Sequence, residues 1–312
     1  MKSINQTKIS EFVFLGLLDL PYLQLPLFMA FLLVYLATQV GNLLIVLLIW
    51  YDSHLHTPMY FFLCNLASLD VFYASVTSPR MLSDLFSKAR KIDVSSCITQ
   101  FFFFFSFTCV ELYLLAVMSY DRYVAICQPL LYIQIMHPKI CAQMVSVAWT
   151  AGFLTSLIHT LCILRLNFCG PNIINSFFCD LPQLFLLSCT DSFINILVMF
   201  LVGSVMGSCA LSITFVPYVR IFHTIMRIKS QKGKLKAFST CTSHLTVVIV
   251  FCSTLMSTYF RPSPSSSSSG DRLVSLAYTV ITPLINPLIY SLRNKDLKSA
   301  IRRVLLKGRL QT

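Results

Sequence analysis

PLFMAFLLVYLATQVGNLLIVLLIW, from Pro26 to Trp50, carries no charged residue. At about 1.5 Å of rise per helical residue it is long enough to cross the roughly 30 Å hydrocarbon core of a bilayer. Six further apolar runs follow: Pro58 to Pro79, Cys97 to Tyr120, Ile140 to Leu164, Ser192 to Val219, Ala237 to Phe260 and Leu273 to Leu292. They use most of the 312 residues, and the longest connection, Arg165 to Asp191, is too short for a soluble domain. With 56% hydrophobic and only 12% charged residues and a mean hydropathy of +0.74, the chain lacks the charge to cover a soluble globule, so the missing surface must be lipid. The sequence therefore reads as an all-α membrane protein. A seven-helix transmembrane bundle over residues 26–292 lies between an N-terminal segment, 1–25, and a C-terminal segment, 293–312.

Charge sets the expected orientation. With the N-terminus outside, the cytosolic side collects 15 Lys and Arg against Asp52, Asp121 and Asp296, and the outer side 9 against seven acids. The net balance, +12 inside and +2 outside, obeys the positive-inside rule. An N-glycosylation acceptor at Asn5-Gln6-Thr7 agrees, since it is usable only on the outer side. The first 25 residues show no basic start, apolar stretch and cleavage site in series, so the first span is expected to act as the insertion signal. The basic residues sit in short loops beside spans, where anionic lipid and a cytosolic protein are the available acids, and nucleic acid is not an expected partner.

Four of the twelve cysteines, Cys97, Cys169, Cys179 and Cys189, fall on the oxidising side, where four allow three pairings. Cys97 starts the third span, so a bond from it to the loop after span four would draw that loop across the outer mouth. The others, such as Cys64, Cys141 and Cys241, read as small packing residues.

Ionisable groups inside membrane helices are costly enough to be read as functional, and here they are Asp70, Glu111, His159 and His244. By helical rise, Asp70 lies roughly 18 Å and Glu111 roughly 15 Å from the cytosolic ends of their helices, with Asn42 and Asn286 near the same depth. Two neighbouring carboxylates repel unless they share a proton or a cation, so this layer is a candidate cation or proton site. An ion-coupled transporter would use such chemistry, but the sequence shows no internal repeat. The outer halves of the helices are nearly free of charge, as in FFFFFSFTC from Phe101 to Cys109. A helix turns each residue to a different azimuth, so only about two of those five phenylalanines can face one pocket. A ligand meeting such walls would be small, largely apolar and uncharged.

The third span ends in Met118-Ser119-Tyr120-Asp121-Arg122-Tyr123-Val124-Ala125-Ile126-Cys127. Other blocks are Gly41-Asn42; Leu55-His56-Thr57-Pro58-Met59-Tyr60; Lys236-Ala237-Phe238-Ser239-Thr240-Cys241 through His244; and Pro283-Leu284-Ile285-Asn286-Pro287 through Tyr290 and Asn294. In these blocks, in family order from Gly41 to Asn294, the chain resembles the odorant receptors, a branch of the rhodopsin-like G-protein-coupled receptors. The resemblance implies an inner-face switch at Arg122 with Asp121 and Tyr123 beside it and Tyr218, His244 and Tyr290 around it. It also implies a sodium-like site framed by Asp70 and Glu111 with Asn42 and Asn286 nearby. A cross-mouth disulfide Cys97–Cys179 is implied too, leaving Cys169 with Cys189. The candidate odorant-binding positions are Phe104, Phe105, Thr108, Cys109, Met206, Met256, Tyr259, Tyr278 and Thr279.

Three departures from the family pattern stand out: Ser119 for alanine, Pro217 for serine, and Phe251-Cys252-Ser253 where Phe-Tyr-Gly is common. Pro217 removes a backbone donor near the inner end of span five, and loss of the tyrosine ring at Cys252 bears on cavity size and on activation. Pro262 to Gly270 reads as a serine-rich cover loop, and His54 with His56 resembles a metal pair by spacing alone. After span seven, Leu297, Ile301, Val304 and Leu305 repeat at helical spacing opposite Lys295, Lys298 and Arg302, as in a short amphipathic helix on the inner leaflet. The sequence has no Gly-rich phosphate loop, His-Glu-x-x-His or Gly-x-Ser-x-Gly elbow, so no enzyme is expected. The expectation is a plasma-membrane receptor, N-terminus extracellular and C-terminus cytosolic, that binds small apolar volatiles and raises cyclic AMP through a stimulatory, olfactory-class heterotrimeric G protein. A seven-helix receptor for another lipid or metabolite, and an ion-coupled transporter, are the alternatives.

Overall fold

A computed structural model of the protein describes residues 9–15, 21–87, 89–259, 276–293 and 295–309. The Asn5 acceptor and the Pro262 to Gly270 stretch lie outside them. In chain order the helices are α1 (Pro21–Tyr51), α2 (Pro58–Phe86), α3 (Val94–Cys127), α4 (Tyr132–Ile135), α5 (Pro138–Leu164), α6 (Leu181–Leu186), α7 (Phe193–Arg227) and α8 (Gln231–Tyr259). A π-helical stretch, Ala277–Ile281, then runs into α9 (Thr282–Arg293), and α10 (Lys295–Arg309) follows. Six of these are long and apolar enough to cross a bilayer, and the seventh apolar run appears as the shorter helix Thr279–Tyr290.

Several helices outrun the apolar runs that announce them. α2 continues through Pro79 to Phe86, α3 extends from Val94 to Cys127, and α7 passes through Pro217 to Arg227. Lipid thickness limits how many residues must be apolar, whereas the backbone ladder continues for as long as its hydrogen bonds are met. A proline removes only one donor from that ladder.

α3 is the central element, packing on α2, α5 and α7. Its approach to α5 is close enough to require glycine. A Cβ at Gly152 would stand 2.4 Å from Val110 Cγ2 and 2.9 Å from the Val110 backbone nitrogen. One turn further on, Ser156 Oγ donates to the Phe102 carbonyl at 2.7 Å, a hydrogen bond between the two helices. Small residues at such contacts let membrane helices gain dispersion energy where water supplies no hydrophobic drive.

One end of the bundle, the mouth, is closed by a small sheet that the hydropathy pattern did not announce. β1 (Glu11–Phe14) pairs antiparallel with β2 (Lys91–Asp93) and parallel with β3 (Ile173–Ile174), in the order β2-β1-β3. The alternation Glu-Phe-Val-Phe puts Phe12 and Phe14 on one buried face. There they join Ile92, Phe101, Phe168 and Ile174 in a second apolar cluster, distinct from the main core between the helices. The disulfides Cys97–Cys179 and Cys169–Cys189 both lie at this end.

At the opposite end α10 docks on the protein. Leu297 and Ala300 are buried in the main core, Tyr60 Oη donates to Asp296 Oδ2 at 3.1 Å, and Val304 is exposed. Leu297, expected to face the leaflet, therefore faces the bundle. The docking is fixed by Asp52, whose Oδ2 accepts from Arg303 Nε at 2.9 Å while its Oδ1 is 2.8 Å from His54 Nδ1. His54 is thus a partner of the turn carboxylate, and His56 reaches the Trp50 carbonyl at 3.3 Å, so the two do not form a metal pair. Burial opposes the Asp52 charge, but the hydrogen bonds from Arg303 and His54 outweigh it and hold the carboxyl down at about 2.

Gly152→Ala is expected to cost about 1–3 kcal/mol through overpacking against Val110. Gly203→Ala, with nothing within 4 Å of an added Cβ, serves as the control. Thermal midpoints of the purified variants test this, and equal midpoints would refute the close packing. Because the Asp52 pKa is depressed, its contribution to docking α10 is full above the ordinary carboxylate value near 4 and is lost as pH falls through about 2. Arg303→Ala is expected to move the Asp52 titration, read by carboxyl carbon NMR, up toward that ordinary value. An unmoved titration would assign the depression to His54 alone.

Candidate functional site

Midway along the bundle, Asn286 of α9 points its amide at two carboxylates. Its Nδ2 donates to Asp70 Oδ2 at 3.0 Å, to Asp70 Oδ1 at 3.2 Å and to Glu111 Oε1 at 3.2 Å. Asp70 and Glu111 are fully buried and Asn286 nearly so, which makes one polar layer across α2, α3 and α9. Asn42 belongs to a neighbouring junction, where its Nδ2 donates to the Thr38 and Pro283 carbonyls at 3.0 and 3.1 Å, joining α1 to α9. Among the described residues, Glu111 Oε2, Asn286 Oδ1 and Asn42 Oδ1 are buried without a hydrogen-bond partner. One amide cannot neutralise two carboxylates, so the layer is short of positive charge or protons.

Toward the mouth from this layer, α3, α5, α7 and α8 line a half-open cavity of about 150 Å³. Phe105, Thr108, Cys109, Met206 and Met256 line it, as do His159, Tyr113 and Cys252. The cavity owes part of its room to absent side chains: Gly203 and Gly207 of α7 face it, and nothing lies within 4 Å of a Cβ added at either. Phe104 is not on this wall. It packs in the core against Tyr73 and Phe178, with ring centroids 5.0 and 4.8 Å away. Thr279 is buried away from the cavity, and the side chains of Tyr259 and Tyr278 lie outside the described residues. Of the five consecutive phenylalanines only Phe105 reaches the space; Phe101 joins the mouth cluster and Phe103 is exposed. Sequence reasoning passed over Met199, Gly203 and Gly207, although with Met206 they keep the three- and four-residue spacing of one helical face.

At the end away from the mouth, Arg122 Nε donates to Asp121 Oδ2 at 3.0 Å, and a second guanidinium nitrogen contacts the same oxygen. The other Asp121 oxygen accepts from Tyr132 Oη of α4 at 2.8 Å. Desolvation and then the Asp121 charge hold the Tyr132 phenol well above its ordinary value, so it remains a donor. Beside this pair Tyr218 of α7 meets His244 of α8, Oη to Nδ1 at 2.6 Å with stacked rings. Tyr123 Oη accepts from Arg220 at 3.4 Å, and the Tyr290 hydroxyl is buried without a hydrogen-bond partner among the described residues. Asp121 is thus doubly engaged, and α7 and α8 are joined here by the Tyr218–His244 hydrogen bond and by apolar packing of Ile221 and Ile225 near Cys241. Among the described residues no group of three or more His, Cys, Asp or Glu is placed to hold a metal ion.

The comparisons with known proteins agree on one family. The family model described as "Olfactory receptor" matches residues 31–308. Olfactory receptor 5AR1 of Mus musculus is 47% identical over 307 residues, covering 98% of this chain and 99% of the relative. Olfactory receptor 1G1 of Gorilla gorilla gorilla is 48% identical, covering 98% and 97%, and Olfactory receptor 1J2 of Homo sapiens is 48% identical, covering 99% and 98%. These are receptors and not enzymes. With its apolar spans, mouth disulfides and Arg122 cluster, the chain belongs to the olfactory receptor family, the odorant-sensing G-protein-coupled receptors of seven membrane helices.

Proposed function

We propose that the odorant of this receptor is a small, uncharged, largely apolar volatile bound in the cavity between α3, α5, α7 and α8. The observation that carries this reading is the wall itself, which is aromatic, aliphatic, sulfur-bearing and hydroxyl-bearing, with one imidazole and, among the described residues, no carboxylate, lysine or arginine. Burial of hydrocarbon supplies about 25 cal/mol per Å² there, and an unpaired ligand charge would be expensive. Cys252, where the family pattern has tyrosine, lines the cavity and leaves room for the ligand.

The mouth faces outward and the Arg122 end the cytosol, with the receptor in the plasma membrane; the charge balance and the disulfides at the mouth support this orientation. Bound ligand favours the state in which α8 separates from α7 at its Arg122 end, breaking the Tyr218–His244 contact and freeing Arg122 for a stimulatory G protein that raises cyclic AMP. A ligand shifts that equilibrium only by its difference in affinity for the two states. Sodium would suit the polar layer: the oxygens of Asp70 and Glu111 and the Asn286 oxygen, which has no hydrogen-bond partner among the described residues, are the hard donors such an ion takes. Bound there, it would supply the positive charge that one amide does not.

Cells carrying a cyclic-AMP reporter, screened with a panel of volatiles and with surface delivery confirmed, test the reading. The wild type is expected to respond to a subset of apolar volatiles, and Arg122→Ala to be silent at equal surface level. Silence of the wild type across the panel, or an intact response in Arg122→Ala, would refute it. For the ion, sodium in place of choline is expected to raise the thermal midpoint of the purified wild type and to leave Asp70→Asn unchanged. Equal responses of the two proteins would remove sodium from the layer.

A further inference from the structure

The cavity offers a ligand little hydrogen bonding. Thr108 Oγ1 already donates to the Phe104 carbonyl at 2.9 Å and Thr155 Oγ1 to the Ala151 carbonyl at 2.8 Å, each one turn back on its own helix. The Tyr113 hydroxyl interacts with Thr155, and the thiols of Cys109 and Cys252 are weak donors. His159 differs. It is 2% exposed, lines the cavity, and is held edge-on to Phe105 with centroids 5.1 Å apart and planes at 89°. Among the described residues neither of its ring nitrogens has a hydrogen-bond partner. Neither nitrogen is among the fully enclosed unpaired atoms of the interior, so the ring keeps access to the open space beside it. A buried imidazole without partners carries a desolvation cost that a ligand can remove.

We infer that His159 is the polar anchor of the odorant cavity and selects uncharged oxygenated volatiles, aldehydes and alcohols, over hydrocarbons of the same length. An imidazole presents one N–H donor and one acceptor nitrogen, so it donates to an aldehyde oxygen and can also accept from an alcohol hydroxyl. The Phe105 edge contact fixes the ring plane, and Met206 and Met256, which line the same space, offer the ligand's chain adaptable apolar surface. Discrimination follows from the asymmetry of hydrogen bonding: a hydrocarbon leaves the imidazole unpaired, whereas an oxygenated analogue of equal length repairs it.

This assignment rests on the cavity being the odorant site, and a binding readout separates it from signalling. The purified receptor, wild type, His159→Phe and His159→Gln, is titrated with octanal, octanol and octane while the thermal midpoint is followed. The wild type is expected to bind octanal and octanol about ten-fold more tightly than octane, the size of one neutral hydrogen bond. His159→Phe, which keeps the ring and its packing on Phe105, is expected to lose that preference, and His159→Gln to recover part of it. A purely structural role would lower the midpoint of His159→Phe without altering the ratio of the ligands. Binding without a cyclic-AMP response in cells would sink the coupling scheme and leave the anchor standing. No stabilisation of the wild type by any of the three, or the same preference in wild type and His159→Phe, overturns the assignment.

Discussion

The amide of Asn286 is shared by two carboxylates from two other helices, in a layer that water and lipid do not reach. Nothing outside the protein can satisfy groups at that depth, so α2, α3 and α9 must meet there or leave buried charge unpaired. The rest of the bundle is arranged around that obligation. α3 carries Glu111 into the layer, Cys97 to the mouth disulfide and Asp121 to the far end, and it also packs on α2, α5 and α7. A single long helix therefore fixes the relative heights of the cap, the cavity, the polar layer and the Arg122 cluster.

The cavity is made largely by omission. Gly203 and Gly207 withhold side chains from α7, and Cys252 presents a small thiol on α8. Gly152 does the reverse at the α3–α5 contact, where the missing Cβ is filled by Val110. Glycine thus opens one interface of α3's neighbourhood and closes another, and only the surroundings decide which.

Much of this was legible in the sequence, and the limits are physical. The apolar runs, the depth of Asp70, Glu111 and Asn286, and the four mouth cysteines follow from lengths and rises that one chain dictates. The β1 strand was not legible, because four residues of Glu-Phe-Val-Phe gain meaning only from partners far along the chain. Phe104 and Phe105 are adjacent, and hydropathy cannot tell the one that packs on Tyr73 from the one that faces open space; azimuth depends on the neighbours. The docking of Leu297 was missed for a related reason. An apolar stripe fits lipid or protein equally well, and the Arg303 to Asp52 contact that chooses between them joins α10 to a turn far back in the chain.

The cap over the mouth also has a history in time. β1 leaves the ribosome ahead of α1, yet its parallel partner, Ile173–Ile174, is made only after α1, α2, α3 and α5. Cys97 likewise waits for Cys179, 82 residues later. Contacts of such separation cannot form locally, and chains that depend on them assemble slowly. Until the loop after α5 arrives, Phe12 and Phe14 lack most of the apolar surface that buries them, so a nascent chain stalled before that point would expose its N-terminal segment to chaperones and proteases.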